Sequence, residues 1–263
     1  MSTDYLFDTA SDLGRAHMTY LERLLDGPTV ESLEATGVGP GHRCLDIGAG
    51  GGSITRWLAE RTGSVVAVDL DVDHLVAGDG VVVHRHDIND GLPDEGPFDL
   101  IHARLVLMHL PRRAEILTWL VDALAPGGWL VLGEVNDRPL RVLAAPSDSD
   151  RALWARMQHL SQAVVSQAAG ISWTWAHEVD GRMAAAGLTG IEAIEYSRTT
   201  VGGDVGCLLH RNLNMQAEPA LRQAGATDAE LARYRELMVD PGFRAWFHQF
   251  VCTRGRKSVG HPG

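Results

Sequence analysis

The sequence predicts an α/β fold in which helices cover both faces of a mainly parallel sheet. Short, continuously apolar runs recur along residues 43–133, and amphipathic helical patterns lie between them. Apolar runs of strand length that alternate with helices are typical of parallel sheets buried on both faces. Because the crossover connections are right-handed, the carboxyl ends of these strands share one edge of the sheet, where ligands bind.

Five strands and two helices account for this region. The predicted strands are Arg43–Ile47, Ser64–Asp69, Val81–Arg85, Phe98–Ala103 and Trp129–Gly133. The predicted helices are Ser53–Arg61 and Pro111–Leu124, because their apolar side chains recur on one face at helical spacing. Gly63 follows the first of them as a stop signal, a position that glycine favours because it adopts left-handed backbone angles without strain.

The N-terminal segment, residues 1–40, is predicted to be helical. Leu13, His17, Tyr20 and Leu24 recur at helical spacing. Gly27-Pro28 should break this helix, because proline lacks an N–H and its ring clashes with the preceding turn. A second short helix is expected from Val30 to Ala35.

The C-terminal half is predicted to be helical, with two further strands of the same sheet. Residues 138–180 and 204–239 are interpreted as insertions that cap the ligand-binding edge rather than as a separate domain. The strands are Gly190–Tyr196, which alternates in polarity, and Ala245–Thr253. The expected division is an N-terminal segment 1–40, a ligand-binding core 41–137, and a region 138–263 that holds the cap and the last strands.

Composition indicates a globular protein with a sizeable core, since 45% of the residues are hydrophobic. The net charge of −11 disfavours nucleic acid as a partner, and Arg254, Arg256 and Lys257 are expected to lie in a solvated tail. The three cysteines form no CxxC pair, and no secretory segment or apolar run of 18 residues is visible. These features predict a reduced, cytoplasmic protein without a membrane span.

The strongest motif is LDIGAGGG at 45–52, where a strand meets a helix. Glycines suit this position because the chain turns tightly and a ligand must approach the backbone closely. Asp69 ends the next strand, where a carboxylate can accept both hydroxyl hydrogens of a ribose. A plain strand-to-helix turn is the alternative for the motif alone, and the combination with Asp69 favours a nucleoside site.

Two residues distinguish between a dinucleotide and S-adenosylmethionine (SAM). The dinucleotide pattern GxGxxG would want glycine or alanine where Ser53 stands, and it holds a pyrophosphate at the helix N-terminus. SAM instead carries an ammonium, a carboxylate and a sulfonium. Asp46, just before the glycines, suits such a cationic ligand and would repel a pyrophosphate. The residues therefore favour SAM over NAD.

Five motifs between about residues 41 and 134 are informative in combination: LDIGAGGG (45–52), VVAVDLD (65–71), RHDI (85–88), FDLIHARLVLMHL (98–110) and LAPGGWLVLGE (124–134). With them the chain resembles class I SAM-dependent methyltransferases, particularly bacterial small-molecule enzymes of secondary metabolism. The resemblance implies a Rossmann-like, seven-stranded, mostly parallel sheet whose antiparallel last strand is Ala245–Thr253. It also implies SAM as the cofactor and S-adenosylhomocysteine as its product.

The resemblance further implies a set of cofactor contacts at the strand ends. These are Gly48 and Gly50 beside the methionine portion, Asp69 on the ribose, Leu70 on adenine, Asp87 on the adenine amino group, Ile88 on its ring, and Ala103 with Arg104 after the fourth strand. Asp87 could instead be a surface turn residue, and Arg104 could form a structural ion pair. Tyr20 is a further candidate, because an N-terminal helix closes over SAM in related enzymes; core packing is the alternative.

Methyl transfer mainly requires alignment of nucleophile, methyl and sulfur, with a base where the nucleophile must lose a proton. His109 follows the fourth strand and is the candidate base, because imidazole titrates near neutral pH. Glu134 follows the fifth strand and could accept a proton or hold a substrate amine. A histidine bonded to backbone and a glutamate that caps the turn at 136–137 are the structural alternatives.

Trp154, Trp173, Trp175 and Met215 are the candidates for substrate binding, because flat aromatic surfaces suit an aromatic or heterocyclic natural product. Each could equally belong to the core of the cap. The expected reaction is methyl transfer to an oxygen, nitrogen or carbon nucleophile of such a small molecule, with an indole-type carbon as one alternative. An NAD(P)-dependent oxidoreductase, a non-catalytic SAM-binding module and a SAM-fold cyclase are the competing functions.

No compact set of metal ligands is visible beyond Asn136 and Asp137, so no metal is predicted. The expected partner is a small-molecule substrate, with neither nucleic acid nor membrane. A homodimer is a further expectation, because apolar helices exposed in the N-terminal or cap segments could pack between two copies of the chain.

Overall fold

The computed structural model describes residues 11–259. The first ten and last four residues lie outside this range, so the helix predicted over residues 1–40 is tested only from residue 11. Strands β1 to β10 are Cys44–Ile47, Val65–Asp69, Val81–Arg85, Phe98–Arg104, Leu124–Val135, Val142–Ala144, Leu188–Tyr196, Thr199–Val201, Arg244–Trp246 and Phe250–Lys257. Helices α1 to α8 are Asp12–Glu34, Ser53–Thr62, Arg113–Asp122, Asp148–His159, Trp175–Ala185, Val205–Gln216, Glu218–Gln223 and Asp228–Leu237.

The chain divides into two compact units. The larger unit comprises Leu25–Asn136, Thr174–Tyr196 and Phe250–Gly263, and the smaller one comprises Met1–Leu24, Asp137–Trp173 and Ser197–Gln249, each as far as it is described. We call them the sheet unit and the helical unit. One unit boundary falls between Asn136 and Asp137, and the first falls within α1, between Leu24 and Leu25.

The sheet unit contains a seven-stranded sheet in the order β3-β2-β1-β4-β5-β10-β7. Strands β1 to β5 pair in parallel, and β10 is antiparallel to both of its neighbours, β5 and β7. This confirms the predicted α/β class, with a mostly parallel seven-stranded sheet and one antiparallel strand. Ile47 pairs with Val68 on one side and with Ala103 on the other, so the ends of β1, β2 and β4 meet at one edge.

Helix α2 packs on this sheet through its apolar face. Ile54 and Leu58 join buried side chains of three strands, such as Cys44, Val65 and Leu100. The helix ends at Gly63, which has a φ of 73° and donates its N–H to the Ala59 carbonyl, as predicted for a left-handed stop. Burial of this apolar stripe fixes where the preceding glycine turn lies relative to the strand ends.

The predicted helix break at Gly27-Pro28 is wrong. Helix α1 runs from Asp12 to Glu34 with Pro28 inside it, so no separate helix begins at Val30. Proline removes one helical hydrogen bond. The turn is held instead by the buried side chains of Leu25 and Leu33 and by the Thr29 hydroxyl, which donates to the Leu25 carbonyl at 2.7 Å.

The predicted final strand Ala245–Thr253 is also wrong, because it is two strands in two sheets. Strand β9 lies between β6 and β8 in a three-stranded sheet of the helical unit, whereas β10 completes the large sheet. Residues 244–253 contain no glycine or proline that would signal a turn. Periodicity therefore could not reveal the change of sheet, which backbone pairing alone defines.

The basic side chains near the C-terminus are structural rather than part of a solvated tail. Arg254 forms an ion pair with Glu192, and Arg256 Nε donates to the Gly127 carbonyl at 2.9 Å. Lys257 Nζ donates to two carbonyl oxygens at the end of α3, including that of Val121 at 2.9 Å, and to the Leu124 carbonyl at the start of β5. A cation at a helix C-terminus satisfies carbonyls that have no helical partner and interacts favourably with the helix dipole.

The helical unit has its own core. Trp154 and Met157 of α4, Leu231 and Leu237 of α8, and Phe243 before β9 are buried together there. Helix α8 begins with a capping box in which Thr227 and Glu230 exchange hydrogen bonds. This core explains why the inserted segments form a compact unit.

Candidate cofactor and active site

The glycine turn and Asp69 are in direct contact. Gly48 and Ala49 donate their N–H groups to the Val68 carbonyl at 2.8 and 3.2 Å, and Gly50 donates to Asp69 Oδ2 at 2.8 Å. The turn after β1 is therefore tied to the end of β2. The structure thus brings together Gly48, Gly50 and Asp69, the three residues on which the nucleoside prediction depends.

Gly48 cannot be replaced without displacing its neighbour. Its φ is +65°, and a Cβ at this position would lie 2.2 Å from Val106 Cγ2. Real Cβ atoms do not come so close to another carbon, and side chains other than glycine rarely adopt this φ. The loop after β4 thus lies directly against the glycine turn, at the edge of the sheet where β1 and β4 end.

The Asp69 carboxylate is half-buried and still able to accept hydrogen bonds. Asp71 donates its N–H to Oδ1 at 3.0 Å, while Gly50 donates to Oδ2. Burial raises the pKa of this carboxyl above its usual value, and the backbone donors from Asp71, Gly50 and Leu70 counteract that rise. Each carboxylate oxygen has more than one lone-pair direction, so a ribose diol remains a possible additional donor.

The residues implied for adenine lie at the same edge. Leu70 follows Asp69 and is 54% exposed, so its apolar side chain is accessible at this edge. His86 donates its backbone N–H to the Asp69 carbonyl at 3.0 Å and so ties the segment after β3 to this site. Asp87 caps a short 3-10 helix by accepting from the backbone and side-chain nitrogens of Asn89, both at 2.9 Å, and Ile88 is buried.

Asp46 is turned into the fold. Thr55 of α2 donates its hydroxyl to one carboxylate oxygen at 2.6 Å, and His102 Nδ1 of β4 lies 2.7 Å from the other. Both side chains of the His102–Asp46 pair are almost fully buried. Asp46 therefore joins β1, α2 and β4, and nothing in the structure supports its predicted direct contact with a ligand.

Arg104 forms the structural ion pair that was the alternative to cofactor contact. Its Nη1 donates to Asp26 Oδ1 at 2.8 Å, and Ser53 at the start of α2 donates to the same oxygen at 3.0 Å. Asp26 thus joins α1, the start of α2 and the end of β4. Sequence reasoning missed Asp26, because its position before Gly27-Pro28 carried only a helix-breaking signal. Ala103, just before Arg104, is fully buried between β1 and β5.

The loop after β4 has a strained backbone. Leu105 has a φ of 55°, which is the one positive value among the non-glycine residues that the structure describes. Its N–H donates to the Gly133 carbonyl at 2.8 Å, so the strain is held by β5. Backbone strain of this kind concentrates at functional sites.

The two candidate catalytic residues are connected through the backbone that follows this loop. Met108 donates its N–H to Glu134 Oε1 at 3.3 Å, and Leu107 donates a second backbone hydrogen bond, so Glu134 holds the 3-10 turn that carries His109. Burial raises the pKa of Glu134 to about 8, against the opposing effects of these donors and Arg113. Its Oε2 is buried and has no hydrogen-bond partner within residues 11–259.

His109 is an uncharged imidazole at neutral pH. Burial lowers its pKa to about 4, and the positive charge of Arg113 contributes in the same direction. A neutral imidazole can act as a base, whereas a carboxyl whose pKa is raised to about 8 is mainly protonated at pH 7 and can act as an acid. Buried groups with strongly shifted pKa values are concentrated at active sites.

The candidate substrate residues are divided between the two units. Trp154 is 1% exposed in the core of the helical unit, 4.9 Å from the ring of Phe243. Trp173 belongs to the same unit and stacks on His248, whereas Trp175 belongs to the sheet unit, where it is buried at the start of α5. Met215 of α6 is half-buried.

Tyr20, on α1 within the helical unit, is also half-buried, and its predicted contact with the cofactor stays a prediction. In residues 11–259, no group of three or more histidine, cysteine, aspartate or glutamate side chains could hold a metal ion. In the same range, no helix combines the length and apolar character needed to cross a membrane.

Comparison with known proteins adds direct evidence of family. The ubiquinone biosynthesis O-methyltransferase of Leptothrix cholodnii is 29% identical over 115 residues, which cover 40% of this chain and 49% of that protein. Methyltransferase str2 of Strobilurus tenacellus is 31% identical over 103 residues, 38% of each chain. The chain therefore spans about half the length, or less, of these curated relatives.

The fold is shared with solved methyltransferase structures. Phosphoethanolamine N-methyltransferase 2 of Haemonchus contortus, solved with phosphomonomethylethanolamine and S-adenosylhomocysteine, has a TM-score of 0.59 at 16% identity, covering 98% of this chain and 60% of that one. A family model described as a methyltransferase domain matches residues 13–193. That match includes the glycine turn, Asp69, His109 and Glu134. The chain belongs to the methyltransferase domain family.

Proposed function

We propose that this protein uses SAM to methylate an oxygen, nitrogen or carbon nucleophile of a small aromatic or heterocyclic molecule. The observation that carries the proposal is the hydrogen bond from Gly50 to Asp69, which joins the glycine turn to a carboxylate at the end of the neighbouring strand. Membership of the methyltransferase domain family supports the same activity.

The residues at this edge fit SAM. The Asp69 carboxylate has lone pairs for the two ribose hydroxyls, and the exposed Leu70 side chain offers an apolar surface for adenine. The glycine turn leaves its backbone open to the methionine portion, because Gly48 has no side chain. SAM supplies a methyl group bound to a sulfonium, which a nucleophile can attack in line.

The chain's own residues would bind the acceptor, orient it and remove its proton. His109, neutral at pH 7, would accept a proton from a hydroxyl, amine or acidic carbon of the acceptor. Glu134 would fix His109 by holding the amides of the 3-10 turn, and its protonated carboxyl could donate a hydrogen bond from Oε2. The strained loop at Leu105 would keep Val106 against Gly48 and exclude water from that edge.

Isothermal titration calorimetry with SAM, S-adenosylhomocysteine and NAD tests the cofactor, using wild-type protein and the Asp69→Asn and Asp69→Ala variants. We expect SAM and S-adenosylhomocysteine to bind, NAD not to bind, and the Asp69→Ala variant to lose about ten-fold or more in affinity. Binding of NAD but not SAM would indicate an oxidoreductase and overturn the proposal.

A panel of phenols, indoles and heterocyclic amines, assayed with deuterated-methyl SAM and mass spectrometry, tests the reaction. The mass and fragmentation of the product identify whether oxygen, nitrogen or carbon receives the methyl group. SAM binding with no transfer to any acceptor would favour a non-catalytic module or a cyclising enzyme.

We also propose that the protein works in the reducing cytoplasm. Cys44, Cys207 and Cys252 are free and buried, and burial raises the pKa of the thiols to about 12, 12 and 11. Buried thiols of raised pKa are poor nucleophiles and poor disulfide formers.

Light scattering of the purified protein would test the homodimer, which stays a prediction.

A further inference from the structure

Four aromatic rings of the helical unit form a continuous row. Trp173 stacks on His248, with ring centroids 5.2 Å apart, and His248 lies 5.1 Å from His210. The edge of His210 meets Trp154 at 4.9 Å. We call these four residues the ring row. Exposure falls along it, from the half-buried Trp173 through His248 (8%) and His210 (4%) to Trp154 (1%).

Each ring of the row carries a buried nitrogen without a hydrogen-bond partner in residues 11–259. These atoms are Trp173 Nε1, His248 Nδ1, His210 Nε2 and Trp154 Nε1. Buried polar atoms in native proteins nearly always have a partner, and one left unsatisfied is costly. Four such atoms on consecutive rings are a set of hydrogen-bonding groups that a polar group of a bound molecule could satisfy.

The row is uncharged. Burial lowers the pKa of His248 to about 4 and that of His210 well below its usual value, and His248 adds to the effect on His210. The unpartnered nitrogen of each neutral imidazole offers an N–H or a lone pair, depending on the tautomer, whereas the indoles of Trp154 and Trp173 offer an N–H only. Such a set of groups suits a neutral hydroxyl oxygen, which can both accept and donate a hydrogen bond, better than it suits a cation.

Separate parts of the chain hold the row in place. Trp154 stands on α4, His210 on α6, Trp173 before α5, and His248 between β9 and β10. Phe247 packs edge-on against both imidazoles, with centroids 5.6 Å from His210 and 5.2 Å from His248. The start of α6 is fixed by Asp204, whose carboxylate accepts from two backbone N–H groups of its first turn. The rings are thus preorganised before any ligand arrives, which lowers the entropic cost of binding.

We propose that the ring row is a small-molecule binding site that takes a planar, uncharged ring bearing a hydroxyl group, such as a phenol or naphthol. The hydroxyl oxygen accepts from an indole or imidazole N–H and donates its hydrogen to an imidazole lone pair. The ring lies against Trp173, the least buried member. This proposal goes beyond the proposed function and does not depend on it.

The test uses 2-naphthol as the probe and the full-length protein. Calorimetry and quenching of tryptophan fluorescence measure its dissociation constant for wild type, His210→Phe and His248→Phe. Phenylalanine keeps the ring and removes both nitrogens. His159→Phe is the matched control, because His159 ends α4 with an exposed side chain in the same unit.

We expect saturable 2-naphthol binding to wild type and to His159→Phe, and a loss of about ten-fold or more in affinity for the two row variants. 2-Methoxynaphthalene, which cannot donate a hydrogen bond, should bind wild type more weakly than 2-naphthol. Equal affinity of the row variants and wild type, or no saturable binding to wild type, would overturn the proposal. A crystal soaked with 2-naphthol in which ordered waters alone satisfy the four nitrogens would do the same.

A purely structural role gives a different pattern. If the histidines only fill the core, the Phe variants change the melting temperature and leave 2-naphthol affinity unchanged. SAM titrations of the same variants separate this proposal from the proposed function. Loss of 2-naphthol binding with SAM affinity retained supports the ring row, whereas wild-type protein that binds 2-naphthol but not SAM overturns the cofactor assignment alone.

Discussion

Arg104 at the end of β4 donates a hydrogen bond to Asp26 of α1 at 2.8 Å, and Asp26 also accepts from Ser53 at the start of α2. A single carboxylate thus joins three elements around the glycine turn. The ion pair is largely shielded, since the Arg104 and Asp26 side chains are 12% and 34% exposed. Its strength should therefore exceed that of a fully exposed pair.

Asp26→Asn should lower the free energy of unfolding by about 1–2 kcal/mol, because Arg104 loses its charged partner while the side-chain shape is kept. Urea unfolding followed by circular dichroism measures the change. The control is Asp12→Asn, which removes an ion pair with Arg15 on an aspartate that is 95% exposed and should change stability by less than about 0.5 kcal/mol. Equal effects of the two variants would contradict a special role for Asp26.

Gly48→Ala should destabilise the protein more than Gly63→Ala. Both glycines have a similar positive φ, 65° and 73°, but a Cβ at Gly48 would lie 2.2 Å from Val106, whereas nothing lies within 4 Å at Gly63. Gly63→Ala should cost about 1 kcal/mol for the backbone angle alone. Gly48→Ala should cost about 2 kcal/mol more, because Val106 must move. Urea unfolding of the two variants measures both costs.

SAM affinity gives a second readout for the same pair of variants. Moving Val106 and the turn should weaken SAM binding in Gly48→Ala, whereas Gly63→Ala should bind SAM as wild type does. Calorimetry tests this. Unaltered SAM binding by a folded Gly48→Ala protein would argue against the glycine turn as part of the cofactor site.

Glu134→Gln should gain stability relative to wild type as the pH rises. The pKa of Glu134 is raised from 4.5 to about 8 in the folded protein, so the wild type holds a proton there that the unfolded chain releases. The stabilising contribution of this bound proton is complete below about pH 4.5 and is lost as the pH approaches 8. Glutamine does not titrate. The unfolding free energy of Glu134→Gln minus that of wild type should therefore rise by on the order of 3–5 kcal/mol between pH 4.5 and pH 8.

Urea unfolding of wild type and Glu134→Gln at a series of pH values measures this shift. Glu115→Gln is the control, since Glu115 is exposed and Arg112 lowers its pKa, so its difference from wild type should stay constant from pH 5 to 8. A flat difference for Glu134→Gln over the same range would show that Glu134 is ionised in the folded protein.

His109→Ala should slow methyl transfer by about 10²–10⁴-fold while leaving SAM affinity nearly unchanged, because the side chain is proposed to accept a proton from the acceptor. The assay compares kcat and the SAM dissociation constant with those of His159→Ala, whose side chain is exposed at the end of α4. An unchanged kcat would remove His109 from the mechanism.

The pH dependence gives His109 a second test. The folded pKa of about 4 lies below the unfolded value of 6.5, so the unfolded chain binds the proton first. The stability that His109 contributes is present above pH 6.5 and is lost as the pH falls towards 4. His109→Ala should lose less stability than wild type between these two pH values. Thermal melts at pH 7 and pH 5 measure the difference.

The strand ends of the sheet unit were predictable because their signals are local. Apolar runs mark β1, β2 and β4, and the glycines and Asp69 follow directly in sequence. Parallel pairing then brings these ends to one edge, whatever the rest of the chain does. His109 and Glu134 were selected as candidates by the same logic, since each follows a strand of the same sheet, and their catalytic roles stay predictions.

The sequence pattern predicted the wrong structure where contacts between residues far apart in the chain decide it. Pro28 is tolerated because buried leucines and Asp26 hold the helix on both sides of it. Residues 244–257 form two strands because β9 pairs with β6 and β8 while β10 pairs with β5 and β7. His210 and His248 were not selected, since each is an isolated histidine in an apolar stretch.

The sequence by itself determined the parallel sheet, the glycine turn and the carboxylate beside it, because hydrophobic periodicity and turn chemistry act over a few residues. Only the tertiary structure decided that Asp46 turns inwards, that Arg104 pairs with Asp26, and that two histidines 38 positions apart (210 and 248) share one row of rings. These are contacts between residues far apart in the chain, and burial in the folded core selects them.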